Sequence, residues 1–116
     1  MPNTKKSMKP IPSSMRGKKR YVLAELQCES MLPEREVVDA LWKTFHRLYG
    51  ELGTAQQKLW FVKFGPKNNR FIVRCALERT EEVRAGLLFI KEVAGKKVIP
   101  KTLLTSGSIT KLKGKL

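Results

Sequence analysis

Residues 21–28 (YVLAELQC) alternate loosely, with Val22, Ala24, Leu26 and Cys28 on one side and Tyr21, Leu23, Glu25 and Gln27 on the other. That is the period of a strand. From Pro33 the period becomes helical: Val37, Leu41, Phe45 and Leu48 share a face flanked by Val38, Trp42 and Tyr49, while Asp39, Lys43, His46 and Arg47 lie opposite. Pro33 suits a first turn that needs no N–H, Glu34 and Glu36 complement the positive end of the dipole, and Gly50 suits the end. After a Gly50-Glu51-Leu52-Gly53 loop, with room for a short helical turn over residues 54–57, two β-rich runs follow. LWFVKF (59–64) and RFIVRCAL (70–77) flank Gly65-Pro66-Lys67-Asn68-Asn69, the pattern of a hairpin. Thr80, as an N-cap ahead of Glu81 and Glu82, predicts a second helix with Val83, Leu87, Ile90 and Ala94 on one face, ending at Gly95. Residues 96–106 are β-rich, and Pro100 places that strand at an edge.

The order strand, helix, strand, strand, helix, strand predicts an α+β two-layer sandwich. It is ferredoxin-like, the RRM-like βαββαβ arrangement, with a four-stranded antiparallel sheet and both helices on one face. The first and third strands should be central. Regular alternation turns Val22, Ala24, Leu26, Trp60, Val62, Phe64, Phe71, Val73 and Cys75 toward the helices, and Tyr21, Leu23, Phe61, Lys63, Arg70, Ile72 and Arg74 away from them. At 116 residues there is room for one domain. Residues 1–19, rich in Pro, Ser and Lys, read as a flexible basic arm, 20–107 as the domain and 108–116 as a basic C-terminal tail.

Charge changes this picture from a scaffold to a binder. The formal net charge is +14, which directs suspicion to a polyanionic partner, nucleic acid first. The charge is also uneven: residues 1–20, 58–77 and 96–116 hold seven, five and six basic residues and no acidic one. Catalytic material is sparse. His46 falls on the polar side of the first helix, Cys28 and Cys75 on inward strand positions, and the carboxylates are scattered, unlike the cluster of a two-metal nuclease. No CxxC pair suggests zinc, and no apolar run approaches a membrane span or a signal peptide. A reducing, cytoplasmic setting fits the unpaired cysteines.

RNA contact is therefore expected from Arg16, Lys18, Lys19, Arg20, Lys96, Lys97, Lys111 and Lys113, whose basic runs suit phosphates, and from Lys63, Arg70 and Arg74 on the sheet face, where cations beside aromatic rings serve phosphates and bases together. A protein partner is expected at Leu88 and Phe89 on the second helix and at Leu23, Phe61 and Ile72 on the open sheet face, which the chain's own tail would otherwise cover. A free-standing RNA- or DNA-binding module fits the same charge. So does, less well, a small phosphate-chemistry enzyme of acylphosphatase-like fold, whose glycine-flanked loop and arginine after the first strand have no counterpart following Cys28.

Several features together resemble the archaeal ribonuclease P protein component 2 family, relatives of the eukaryotic Pop-five subunit. They are Lys19-Arg20-Tyr21, Trp42, Gly50-Glu51-Leu52-Gly53-Thr54-Ala55, Lys63-Phe64, Ile72-Val73-Arg74-Cys75, Val83-Arg84 and Ser106-Gly107-Ser108-Ile109 with its following lysines. Ser108 stands where the family more often has Thr, which keeps the hydroxyl. The resemblance implies a noncatalytic subunit of the ribonucleoprotein that removes the 5′ leader of precursor tRNA. It further implies that the RNA subunit performs the hydrolysis with Mg²⁺, that the chain binds no cofactor, and that precursor tRNA is met only indirectly. Its implied partners are the ribonuclease P RNA, a TIM-barrel-like protein subunit in a heterotetramer of two copies of each, and other ribonuclease P proteins.

Overall fold

The computed structural model describes residues 18–116. Its elements are β1 (Lys19–Gln27), α1 (Glu34–Gln57), β2 (Trp60–Gly65), β3 (Arg70–Ala76), a 3-10 turn (Leu77–Arg79), α2 (Thr80–Leu87), β4 (Glu92–Val93), β5 (Lys96–Lys97), β6 (Ile99–Ser106) and α3 (Ile109–Lys113). Four strands pair antiparallel in the order β2-β3-β1-β6, so β1 and β3 are central and Pro100 lies in an edge strand. Most of the predicted basic arm falls outside the described residues, and β1 already includes Lys19.

The helix-side core follows from alternation. Val22, Ala24 and Leu26 of β1 and Phe71, Val73 and Cys75 of β3 meet Val37, Leu41 and Phe45 of α1 and Val83 and Leu87 of α2. Asn69, in the turn before β3, pins the loop that enters α1: its side-chain oxygen accepts from the Leu32 N–H at 2.9 Å and its amide donates to the Ser30 carbonyl at 3.0 Å.

Helix α1 runs further than its period predicts, but it breaks where expected. Gly50 has φ 72° and ψ 178°, a region essentially reserved for glycine, and helical residues resume after it. The buried Thr54 hydroxyl donates to the Gly50 carbonyl at 2.8 Å and ties the resumed helix to the break. The second helix, in contrast, is shorter than predicted. α2 stops at Leu87, and Val93 and Val98 reach the core through a β4–β5 hairpin whose turn residues, Ala94 and Gly95, both have positive φ. The Thr80 hydroxyl donates back to the Leu77 carbonyl at 2.7 Å and does not cap an N–H.

Strand β2 corrects the predicted faces. The pairing with β3 shifts between Phe61 and Lys63, so that Val62 is the extra residue of a bulge. Phe61 therefore joins the helix side, stacked on Phe71 with ring centroids 5.6 Å apart, while Val62 packs on the opposite face. Trp60, expected inside, is paired with the outward Arg74 and is 58% exposed.

Of the two covers expected for the open sheet face, a partner or the chain's own tail, the last nine residues supply the second. They form α3 and cross the sheet on the face away from the other helices, where fully buried Leu112 packs on Leu23 and Ile72, with Tyr21, Val62 and Leu116 around them. A two-residue apolar strip on the sheet needed a cover, and Leu112 and Leu116, four apart, supply it.

Gly50→Ala should destabilise the fold by about 1–3 kcal/mol, read as a lower denaturation midpoint. An added Cβ would meet nothing within 4 Å, so the loss reports backbone conformation alone. A variant as stable as its parent would mean that α1 can straighten through the break.

Candidate nucleic-acid interface

Folding sorts the charges by layer. The four main strands and α3 contain one carboxylate, Glu25, and the other nine of the chain's ten lie in α1, the 3-10 turn, α2, the β1–α1 loop and β4. On the outer sheet face and its α3 cover stand Lys19, Lys63, Arg70, Arg74, Lys101, Lys111, Lys113 and Lys115. Basic residues from the described parts of all three acid-free blocks thus meet on one side of the molecule.

Glu25 is itself neutralised. Arg70, its cross-strand partner, donates from Nε to its carboxylate at 2.9 Å and from Nη1 to the Lys115 carbonyl at 2.8 Å. One guanidinium therefore ties two strands to the end of α3's segment. Gly65 allows the final approach: a Cβ there would lie 2.8 Å from the Leu116 Cβ. With the backbone clasped and Leu112 turned inward, Lys111, Lys113 and Lys115 are exposed.

The residues expected to contact RNA do not all gather here. Lys19, Lys63, Arg74, Lys111 and Lys113 share this side, and Arg70 is there but engaged in the clasp. Lys18 is exposed just before β1, and the Arg20 guanidinium lies over Gly107 at the sheet end. Lys96 and Lys97 sit apart on β5, beside an open cleft that also touches Cys28, Lys91 and Ile99. Arg16 lies outside the described residues. Two expected partner contacts are corrected: Leu23 and Ile72 are covered by α3, leaving 1% and 0% of their surface to solvent. A third, Phe61, is half-buried against the helix-side core because of the bulge. Leu88 and Phe89 are exposed after α2, as expected.

Missed by alternation was Trp60, whose exposure depends on a bulge that no local residue type announces; missed in the tail was Leu112. Its signal was present, since Ile109, Leu112 and Leu116 fall at helical spacing. Burial pushes the Cys75 thiol up, with a smaller opposing effect from a hydrogen bond to Thr80, which fits a core residue and not a nucleophile. His46 is exposed and stacks on Trp42.

An α+β domain whose outer sheet face gathers basic residues around a single, neutralised carboxylate belongs to the class of small polyanion-binding proteins. Comparison places it more narrowly: the Rpp14/Pop5 family model matches residues 20–116, and the chain belongs to that family. It is similar to ribonuclease P protein component 2 of Pyrococcus abyssi, 39% identical over 93% of this chain and 92% of the relative. The protein of the same name from Methanocaldococcus jannaschii is 33% identical over 91% and 78% respectively. A chain in the cryo-EM structure of yeast ribonuclease MRP shares the fold, with a TM-score of 0.62 at 11% identity over 84% of this chain and 90% of that one.

Arg70→Met should release the end of the chain without unfolding the domain. Losing a half-exposed charged contact worth about 1 kcal/mol predicts roughly fivefold faster amide exchange over residues 109–116. Unchanged protection there would show that Leu112 holds the segment unaided.

Proposed function

We propose that this chain is a noncatalytic, RNA-binding protein subunit of ribonuclease P, the ribonucleoprotein that trims the 5′ leader of precursor tRNA. The observation that carries the reading is the cationic face whose single carboxylate, Glu25, is held by Arg70, in a chain whose relatives bear that enzyme's name. Phosphates are met by lysines on a rigid sheet and a clasped helix, so the charges are held close together before RNA arrives and little ordering accompanies binding. Placed against a folded RNA, they replace diffuse counterions and let the RNA reach its active fold at lower Mg²⁺. The hydrolysis itself belongs to the RNA and its metal ions.

Reconstitution of precursor tRNA cleavage with and without this chain, across a Mg²⁺ series, is the test. The chain should shift half-maximal cleavage to lower Mg²⁺, and a Lys111→Ala, Lys113→Ala variant should give back part of that shift. Identical Mg²⁺ dependence with and without the chain, or cleavage by the purified chain alone, would defeat the reading.

The other side of the domain supplies the protein contact in this proposal. Leu88 and Phe89 stand exposed together, 44% and 48%, where α2 gives way to the hairpin, and they form the surface for a TIM-barrel-like companion in a two-plus-two assembly. Leu88→Glu should weaken that association about tenfold, or about 1.4 kcal/mol, while the melting temperature stays within a few degrees. Loss of folding would mean that Leu88 supports the core instead.

A further inference from the structure

Trp60 is the most exposed Phe, Tyr or Trp side chain among the described residues, and it is exposed by construction. The bulge at Val62 lets Phe61 and Phe64 both enter the helix-side core, and the alternation running back from it turns the indole outward. There it joins a row across three strands. Trp60 pairs with Arg74 and Arg74 with Tyr21, and side chains directly opposite on one face stand about 4.5–5.5 Å apart at Cβ. The Arg74 Nε is buried without a hydrogen-bond partner, an unspent donor on a cation next to an open ring. Exposed Lys63 occupies the next row, opposite Ile72. Glu25, the single carboxylate of the sheet, is two rows away and held by Arg70.

We propose that Trp60 is a stacking platform for one unpaired RNA base, with Arg74 and Lys63 contacting the phosphates on either side of that nucleotide. The proposal rests on the RNA-binding reading above and adds to it a preference for single-stranded over duplex RNA. A ring face accepts any base, so the site is sequence-tolerant, whereas a duplex keeps its bases stacked internally and offers the indole nothing. An apolar protein surface would also cover the tryptophan, but it would leave Arg74 and Lys63 without counter-charge; a phosphate backbone satisfies ring and cations together.

The test uses the full chain with a short single-stranded oligoadenylate and a duplex RNA of equal length. In a Trp42→Phe background, where Trp60 is the one remaining indole, the oligoadenylate should quench its fluorescence and the duplex should not. Trp60→Ala should weaken single-strand binding roughly tenfold and leave duplex binding and the salt slope unchanged, because stacking releases no counterions; Trp60→Phe should recover most of the loss. Undiminished single-strand affinity in Trp60→Ala would overturn the platform while the cationic face stands. A Trp60→Ala defect confined to assembly with a protein subunit would overturn it in favour of a protein contact. Absence of binding to either RNA by the parent chain at low salt would instead remove the RNA-binding reading beneath it.

Discussion

The sheet is apolar at its centre on both faces, and everything else in the molecule answers that constraint. On one side α1 and α2 bury Val22, Ala24, Phe71 and Val73. On the other, Leu23 and Ile72 would face water, and one turn of helix carrying Leu112 closes over them. A buried leucine side chain contributes about 1.5–3 kcal/mol through area alone. That is enough to hold a five-residue helix that has almost no stability of its own. Because the residues that turn inward are Leu112 and Leu116, Lys111 and Lys113 are left free for solvent or a ligand.

Separation of charge by layer is the second theme. A basic protein with its acids spread evenly would present a weak field on every side. Here the acids sit on the helices and the hairpin, the strands and α3 are nearly without them, and the one exception is neutralised by Arg70. On the helix side the acids also serve structure: Glu82 accepts from the Gln57 amide at 2.6 Å and from the Tyr49 hydroxyl through its carbonyl at 2.9 Å, joining α1 to α2. Burial, with Glu82 nearby, pushes the Tyr49 hydroxyl up and keeps it a donor.

Much of this was legible in the residues themselves. Strands β1 and β3 alternate cleanly because both are central and each face must be buried, so parity alone places Val22, Leu23, Phe71 and Ile72. Pro100 marked an edge, and Gly50 marked a break that only glycine tolerates. What was not legible depended on partners distant in sequence. Whether Trp60 or Phe61 turns inward is decided by the fit against Phe71 across the ladder, not by neighbours along β2. Ile90 and Ala94 continue the helical period of α2, and only the core's need for Val93 and Val98 selects a hairpin. The fate of Leu112 depended on β1 and β3 being paired first, which no window around residue 112 contains.

The cover over Leu23 and Ile72 comes from the far end of the chain. Strand β1 is made before the other described elements yet pairs with β6, and its outer face waits for α3, which follows all of them. Until then the nascent domain carries a greasy strip flanked by lysines and an unpaired strand edge, the surface on which partly made chains clump. A chain cut before α3 would thus keep the helical side of its sheet complete and leave the other side bare, so clumping of such truncated chains reports the loss of this cover.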